Sequence, residues 1–469
     1  MSRIVIIGGG PAGYEAALVA AQLGAQVTVV ERAGFGGACV LYDCVPSKTF
    51  IAAAETATTI RTARQLGVRC GDSAELSIDV PLLHGRVKAL AEAQSEDIHD
   101  RLVREGVTVV AGTARFAEHQ QTRGLHTIEV APAEGGPGQL VDAELVLLAT
   151  GSSPRVLPDA QPDGERILTW RQVYDLPALP SHLIVIGSGV TGAEFASAYR
   201  ALGVPVTLVS SRDRVLPGED PDAAAVLEQV FAAQGMEIVK PARALAVRRA
   251  GSGVVVELED GRVVEGSHAL LTVGSTPNTG GLGLEHVGVG LNADGYIAVD
   301  RVSRTTVAGV YAAGDCTGML ALASVAAMQG RIAMWHALGE AVAPLRLKTV
   351  AATVFTHPEI ATVGIQQAAI DAGVVPARVV TLPLDTNARA KMQGVRDGFV
   401  KLFCRPATGV VIGGVVVAPY ASELILLVAA AVQHQLTVDQ LAGTFAVYPS
   451  MSGSLTEAAR RLMVHGDLD

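Results

Sequence analysis

At roughly 150 residues per domain, a chain of 469 residues holds about three domains, so a single small module is excluded. Asp and Glu outnumber Lys and Arg by 46 to 36, a formal charge of −10 without any long basic run, which argues against nucleic acid and anionic membrane as partners. With 49% hydrophobic and 17% charged residues the chain is globular rather than disordered, and no apolar run approaches the ~18 residues of a bilayer span.

The opening MSRIVIIGGGPAG reads as a strand entering a glycine turn, not as an export signal, so the expectation is a soluble, cytoplasmic protein. A β-branched run at 3–7 predicts a strand, helical spacing at 14–23 a helix, and 27–30 a second strand. A long helix is expected at 82–104, strands at 107–111, 127–131 and 145–148, and a loop at 135–138. The strand, turn, helix, strand order then returns at 182–186, 187–192, 193–202 and 206–209. More short strands and a glycine-rich stretch at 274–290 follow. From about Lys348 the pattern changes to strands, a meander at 399–417, and helices at 422–433 and 453–463, read as a further domain.

Gly8, Gly10 and Gly13 form GxGxxG between a strand and a helix, the context in which backbone amides and a helix N-terminus receive a pyrophosphate. Glu31 ends the next strand, where a carboxylate accepts hydrogen bonds from a ribose hydroxyl pair. Gly187, Gly189 and Gly192 repeat the motif, but Ser210 stands as far beyond Gly187 as Glu31 stands beyond Gly8. The acid is lost, and Arg212 and Arg214 follow at once. A 2′-phosphate is repelled by an acid and held by guanidinium forks, so this turn favours NADPH over NADH, with use of both open.

Cys39 and Cys44 stand in GGACVLYDCVPSK. Five residues of ideal helix rise about 7.5 Å, beyond the ~6.8 Å limit of a relaxed disulfide's Cα separation, so the pair must straddle an irregular helix start. A helix N-terminus there lowers a thiol's pKa and suits a nucleophilic thiol. Zinc is the rival reading, but no matching Cys or His pair stands nearby, and no metal is expected. Two inert buried cysteines are the bland alternative. Cys70, Cys316 and Cys404 read as packing residues.

Together these residues resemble the flavoprotein (pyridine nucleotide) disulfide reductases, which include dihydrolipoamide dehydrogenase and glutathione reductase. GGGPAG, Glu31, GGACVLYDCVPSK, ATGSSP at Ala149, GSGVTGAE, VYAAGD ending at Asp315 and FTHPEIATVG from Phe355 occur in the family's order over nearly the whole chain. The resemblance implies an α/β fold with two Rossmann-like dinucleotide-binding domains and a C-terminal α+β dimerisation domain. Its segments are an FAD domain at 1–152, an NAD(P) domain at 153–272, a return to the FAD domain at 273–347 and a homodimer interface at 348–469. It also implies a redox-active Cys39–Cys44 disulfide, places Asp315 at the flavin ribitol and Lys48 near flavin N5, and pairs Lys48 with Glu194. Ala114, Thr150, Gly151 and Gly274 join the expected cofactor contacts.

One departure bears on function. Disulfide-reducing members carry a histidine immediately before a C-terminal proline and a glutamate four residues after it, a pair that shuttles protons to the substrate-side thiol, here Cys39. This chain reads FAVYPSMSGSLTE, with Tyr448 and Gly453 in those slots around Pro449; His434 and His465, the nearest histidines, lack that context. Histidine titrates near 6.5 and tyrosine near 10, and losing a general acid/base typically costs about 10² to 10⁴ in rate. The expectation is an FAD-dependent NAD(P)H oxidoreductase that delivers electrons to quinone-type small acceptors and is poor at disulfides. Two alternatives stay open: a dihydrolipoamide dehydrogenase-like reductase with Tyr448 or another group as base, and a flavin-bearing redox sensor.

Overall fold

The computed structural model describes residues 1–69, 76–119 and 124–463; Cys70 and His465 lie outside them. The chain divides into two compact units. One comprises Met1–Thr49, Leu82–Arg155 and Gly274–Arg346, the other Phe50–Pro81, Val156–Val273 and Leu347–Asp469.

The first unit is built on a seven-stranded sheet in the order Val310–Ala312, Leu145–Leu148, Arg3–Ile7, Gln26–Glu31, Thr108–Phe116, His126–Pro132, Gln139–Ala143. The first five strands run parallel and the last two continue antiparallel. Arg3–Ile7 lies mid-sheet, and its apolar run from Ile4 is buried throughout, as a parallel strand covered on both faces requires. The following helix, Pro11–Gln22, starts earlier than its periodicity suggests, because proline at the first helical position lacks only an N–H that would be unpaired anyway. It packs closely on helix Ala323–Ala337: a Cβ on Gly330 would stand 2.1 Å from the Ala12 carbonyl oxygen. The long helix runs Val80–Arg104, and the strand expected at 107–111 extends to Phe116.

The second unit holds a parallel sheet in the order Glu237–Val239, Val206–Val209, Leu183–Ile186, His268–Leu271, Ile167–Thr169, with helix Val190–Ala201 following its glycine turn. A three-stranded antiparallel sheet of Ala244–Ala250, Gly253–Leu258 and Val263–Gly266 adjoins it in sequence. The C-terminal portion is a five-stranded antiparallel sheet in the order Ala351–Val354, Glu359–Gly364, Val411–Ala418, Phe399–Cys404, Arg378–Pro383. Helices Ala421–Gln433 and Gly453–Leu462 bury their apolar sides against that sheet. Lys401, on strand Phe399–Cys404, is 1% exposed and donates to both Asp220 carboxylate oxygens at 2.9 and 2.8 Å and to Asp222 at 2.7 Å. Asp220 in turn caps helix Pro221–Ala233, accepting from the N–H groups of Asp222 and Ala223.

Candidate functional site

The first glycine turn has the shape of a dinucleotide cradle. Gly8 adopts φ +107°, and a Cβ there would lie 2.3 Å from the Ala149 carbonyl oxygen; one on Gly13 would lie 1.8 Å from the Gly8 oxygen. Both glycines are demanded by the protein's own packing. Gly10 is different, since a Cβ added to it meets nothing within 4 Å. Open space at the N-terminus of helix Pro11–Gln22 is what a pyrophosphate needs. The Glu31 carboxylate accepts the Gly9 N–H at 2.6 Å and the Ala33 N–H at 2.7 Å. Its two oxygens offer about four acceptor positions, leaving capacity for a ribose hydroxyl pair.

The turn at Thr150 and Gly151 is held by Asn278. Asn278 Nδ2 donates to the Thr150 carbonyl at 2.9 Å, Thr150 Oγ1 donates to the Asn278 carbonyl at 2.7 Å, and the Asn278 N–H reaches Gly151 at 3.0 Å. Asp315 accepts from Ser152 Oγ at 2.8 Å; burial pushes its carboxyl above the ordinary range, against that hydrogen bond. Gln329, fully buried, accepts the N–H of Gly314 beside it at 2.9 Å. Asn278, Ser152 and Gln329 therefore frame the site, and sequence reasoning passed over all three. Ala114 is buried in the core of its strand, with only its backbone polar, and Gly274 (φ +95°) accepts the Arg155 N–H where strands Ser152–Pro154 and Ser275–Pro277 pair. The open cradle, the free acceptor capacity and the buried carboxylate all fit FAD.

Cys39 lies in the short helix Gly37–Leu41 and Cys44 opens helix Cys44–Thr62; Tyr42 and Asp43 break the path between them. The pair therefore straddles an irregular helix start. Cys39 is held below the usual thiol range, first because Cys44 donates its S–H to it and further by the Lys48 charge, against burial and the charge of Asp43. Cys44, left to ionise second and buried, is pushed far above that range. The neighbouring thiol is the largest cause of that lowering. Cys316 is fully buried with its thiol pushed up to about 11, and Cys404 is buried in its strand, so both pack. Among the described residues no group of three or more His, Cys, Asp or Glu side chains is arranged to hold a metal ion.

In the second glycine turn Gly187 (φ +110°) and Gly192 repeat the close approaches of Gly8 and Gly13, with Cβ distances of 2.4 Å to the Thr272 oxygen and 1.9 Å to the Gly187 oxygen. Gly189, like Gly10, faces open space. Ser210 is fully buried and turned inward; Arg212 is exposed; Arg214 donates to the Pro217 carbonyl at 2.8 Å. Of the expected basic group, Arg212 alone projects. Glu194, on helix Val190–Ala201, is buried and accepts the Phe355 N–H at 2.9 Å. Lys48 belongs to the first unit and Glu194 to the second. Tyr448 is 85% exposed, beside exposed Phe445 and Val447, and Gly453 begins the last described helix.

Residues 2–330 match the model of the pyridine nucleotide-disulphide oxidoreductase family, and residues 350–459 match that family's dimerisation domain. The chain belongs to this family. Its members are flavoenzymes that use FAD and NAD(P)H, and the dimerisation domain supports a homodimer. Over 472 residues the chain is 63% identical to a protein named NAD(P)H dehydrogenase (quinone) from Mycobacterium tuberculosis, covering 100% of this chain and 95% of that one. It is 31% identical to dihydrolipoyl dehydrogenase of Chlamydia pneumoniae, over 97% and 95% of the two chains. The crystal structure of LpdA from Mycobacterium tuberculosis superposes with a TM-score of 0.95 at 62% identity, over 99% of this chain and 100% of that one. The HOCl-induced flavoprotein disulfide reductase RclA from Escherichia coli superposes at 0.84 with 25% identity, over 98% and 99%. Among the described residues no helix is long and apolar enough to cross a membrane.

Proposed function

We propose that this oxidoreductase transfers electrons from NAD(P)H to quinone-type small acceptors, in the balance NAD(P)H + H⁺ + quinone → NAD(P)⁺ + hydroquinone. The observation that carries this reading is Tyr448 and Gly453 in the slots where disulfide-reducing members hold histidine and glutamate. The relative named NAD(P)H dehydrogenase (quinone) supports it.

FAD, when bound, supplies the two-electron relay between nicotinamide and acceptor. Gly8, Gly10, Gly13, Glu31, Thr150, Gly151 and Asp315 would hold it, with backbone contributions at Ala114 and Gly274. Glu31 would orient the ribose through its spare acceptor positions, and Asp315, fixed by Ser152, would orient the ribitol. Gly187, Gly189 and Gly192 would receive the nicotinamide nucleotide's pyrophosphate, with Arg212 on its 2′-phosphate. NADPH is therefore the preferred donor and NADH a usable one. Lys48, whose charge helps lower Cys39, would supply positive charge toward the reduced cofactor; for Glu194, which accepts the Phe355 N–H, the catalytic assignment rests on family resemblance alone. With Tyr448 in place of the histidine, the general acid/base that thiol–disulfide exchange requires at Cys39 is replaced by a phenol, whereas an acceptor that takes its electrons from the reduced flavin needs no imidazole beside that thiol.

A second reading is favoured by the thiol pair itself, whose lowered Cys39 suits nucleophilic attack on a disulfide. An acceptor panel on FAD-loaded protein separates the two. Benzoquinone turnover at least about 10² above lipoamide and glutathione disulfide turnover is expected from the missing acid/base; comparable disulfide turnover defeats the quinone reading.

A further inference from the structure

The two glycine turns share one hydrogen-bonded frame made from different chemistry. In the first, the residue after the leading glycine is Gly9 and the strand-end residue is Glu31, whose carboxylate takes the N–H of Gly9 at 2.6 Å and of Ala33 at 2.7 Å. In the second, the matching residues are Ser188 and Ser210. Their hydroxyls meet at 2.7 Å, and Ser210 Oγ takes the N–H of Arg212 at 3.2 Å, two residues on, as Glu31 does with Ala33. Ser210 Oγ also lies 2.9 Å from the Arg212 carbonyl, so one arrangement satisfies both hydroxyls: Ser188 donates to Ser210, and Ser210 donates to Arg212. Both serines are buried.

The space after the leading glycine differs between the two turns. A Cβ on Gly9 would lie 3.1 Å from the Glu31 Cβ and 2.9 Å from the Phe35 ring. Around Gly9 a side chain is crowded by the Phe35 ring and by the strand-end residue, whereas in the second turn two serines stand there in hydrogen-bond contact. The loop beyond Ser210 is also pinned at its far end, where Asp220 is gripped by Lys401.

We propose that Ser188 and Ser210 act as one specificity-determining unit for 2′-phosphorylated dinucleotides. They keep the frame that Gly9 and Glu31 build, remove its negative charge, and present Arg212 from a fixed loop as the group that meets the 2′-phosphate. This rests on the second turn being the nicotinamide nucleotide site.

Calorimetric titration of the FAD-loaded protein with NADP⁺ and NAD⁺ reads the effect without turnover. Ser188→Gly combined with Ser210→Glu rebuilds the first turn's pair, and the NADP⁺ to NAD⁺ affinity ratio falls by about 100-fold, as a like-charge juxtaposition dictates. Ser210→Glu alone weakens NAD⁺ more than the double variant does, because the new carboxylate meets the Ser188 side chain. Arg212→Gln, on an exposed side chain with no bearing on folding, lowers NADP⁺ affinity about tenfold more than NAD⁺ affinity. The proposal is overturned by a ratio that moves less than about threefold in the double variant, by a Ser210→Glu protein that matches the double variant on both nucleotides, or by equal losses in Arg212→Gln. Gly189→Leu fills the open space of the turn and tests the underlying reading. If it leaves both affinities in place, the site assignment fails and the proposal with it. If it abolishes both while the double variant leaves the ratio unmoved, the site stands and the serine pair does not.

Discussion

Lys401→Met should be among the most destabilising single changes available in the second unit. The ammonium it removes is 1% exposed and satisfies Asp220, whose side chain is 2% exposed, through two hydrogen bonds; Asp222, 66% exposed, keeps access to water. Breaking a buried pair from one side leaves an uncompensated charge, at a cost of about 3–5 kcal/mol. Asp220 retains the Asp222 and Ala223 N–H groups, which places the loss toward the lower end. For a unit of this size about 2–4 °C accompanies each kcal/mol, so the melting transition should fall by roughly 6–15 °C. Scanning fluorimetry of Lys401→Met, Asp220→Asn and the double variant checks this. The double variant should lose less than the sum of the singles, because the remaining carboxamide needs no counter-charge. A fall below about 2 °C for Lys401→Met, or strict additivity, would refute the reasoning.

Three further outcomes follow from the site. In the reduced enzyme, the pH midpoint for iodoacetamide labelling of Cys39 should lie below the ordinary thiol value of about 8.5, since a depressed pKa brings the thiolate in at lower pH. Cys44→Ala removes the largest cause and should raise that midpoint, and Lys48→Met should raise it by less; a midpoint indifferent to Cys44→Ala contradicts the hydrogen-bond explanation. Gly10→Ala meets no protein atom, so it should leave the melting transition of the flavin-free protein within about 1 °C of the flavin-free parent while reducing the flavin-to-protein absorbance ratio as isolated; a full flavin complement would show that the pyrophosphate lies elsewhere. Gly13→Ala drives a Cβ to 1.8 Å from the Gly8 oxygen and should instead cost about 1–3 kcal/mol or more, visible as low yield of folded protein.

The parts of the molecule legible in its sequence are those where local geometry constrains residue type. Gly8 and Gly13 had to be glycine for backbone reasons, and the break between Cys39 and Cys44 follows from the length of five helical residues. The start of helix Cys44–Thr62 was expected but its length was not legible, because CVPSKTFIAAAETATTIRT mixes a proline, β-branched residues and alanines without an amphipathic stripe. Strand Gln139–Ala143 is short and half polar, and gains its place only by pairing with His126–Pro132. Asn278, Ser152 and Gln329 act through partners 128, 163 and 15 residues away, distances over which no spacing rule operates. Nothing in FVKLFC marks Lys401 as buried, and it becomes intelligible only beside Asp220, 181 residues away. Comparing the strand-end slots of the two glycine turns exposed the missing acid at Ser210, but its inward-turned hydroxyl needed coordinates, since Ser188 had to be seen against it.

The most direct measurement is the ratio of lipoamide to benzoquinone turnover, with NADPH as donor, in the parent protein and in Tyr448→His/Gly453→Glu. The account predicts a parent ratio of about 10⁻² or lower and a rise of at least about tenfold when imidazole and carboxylate are restored. A parent that turns over lipoamide as fast as benzoquinone would contradict it.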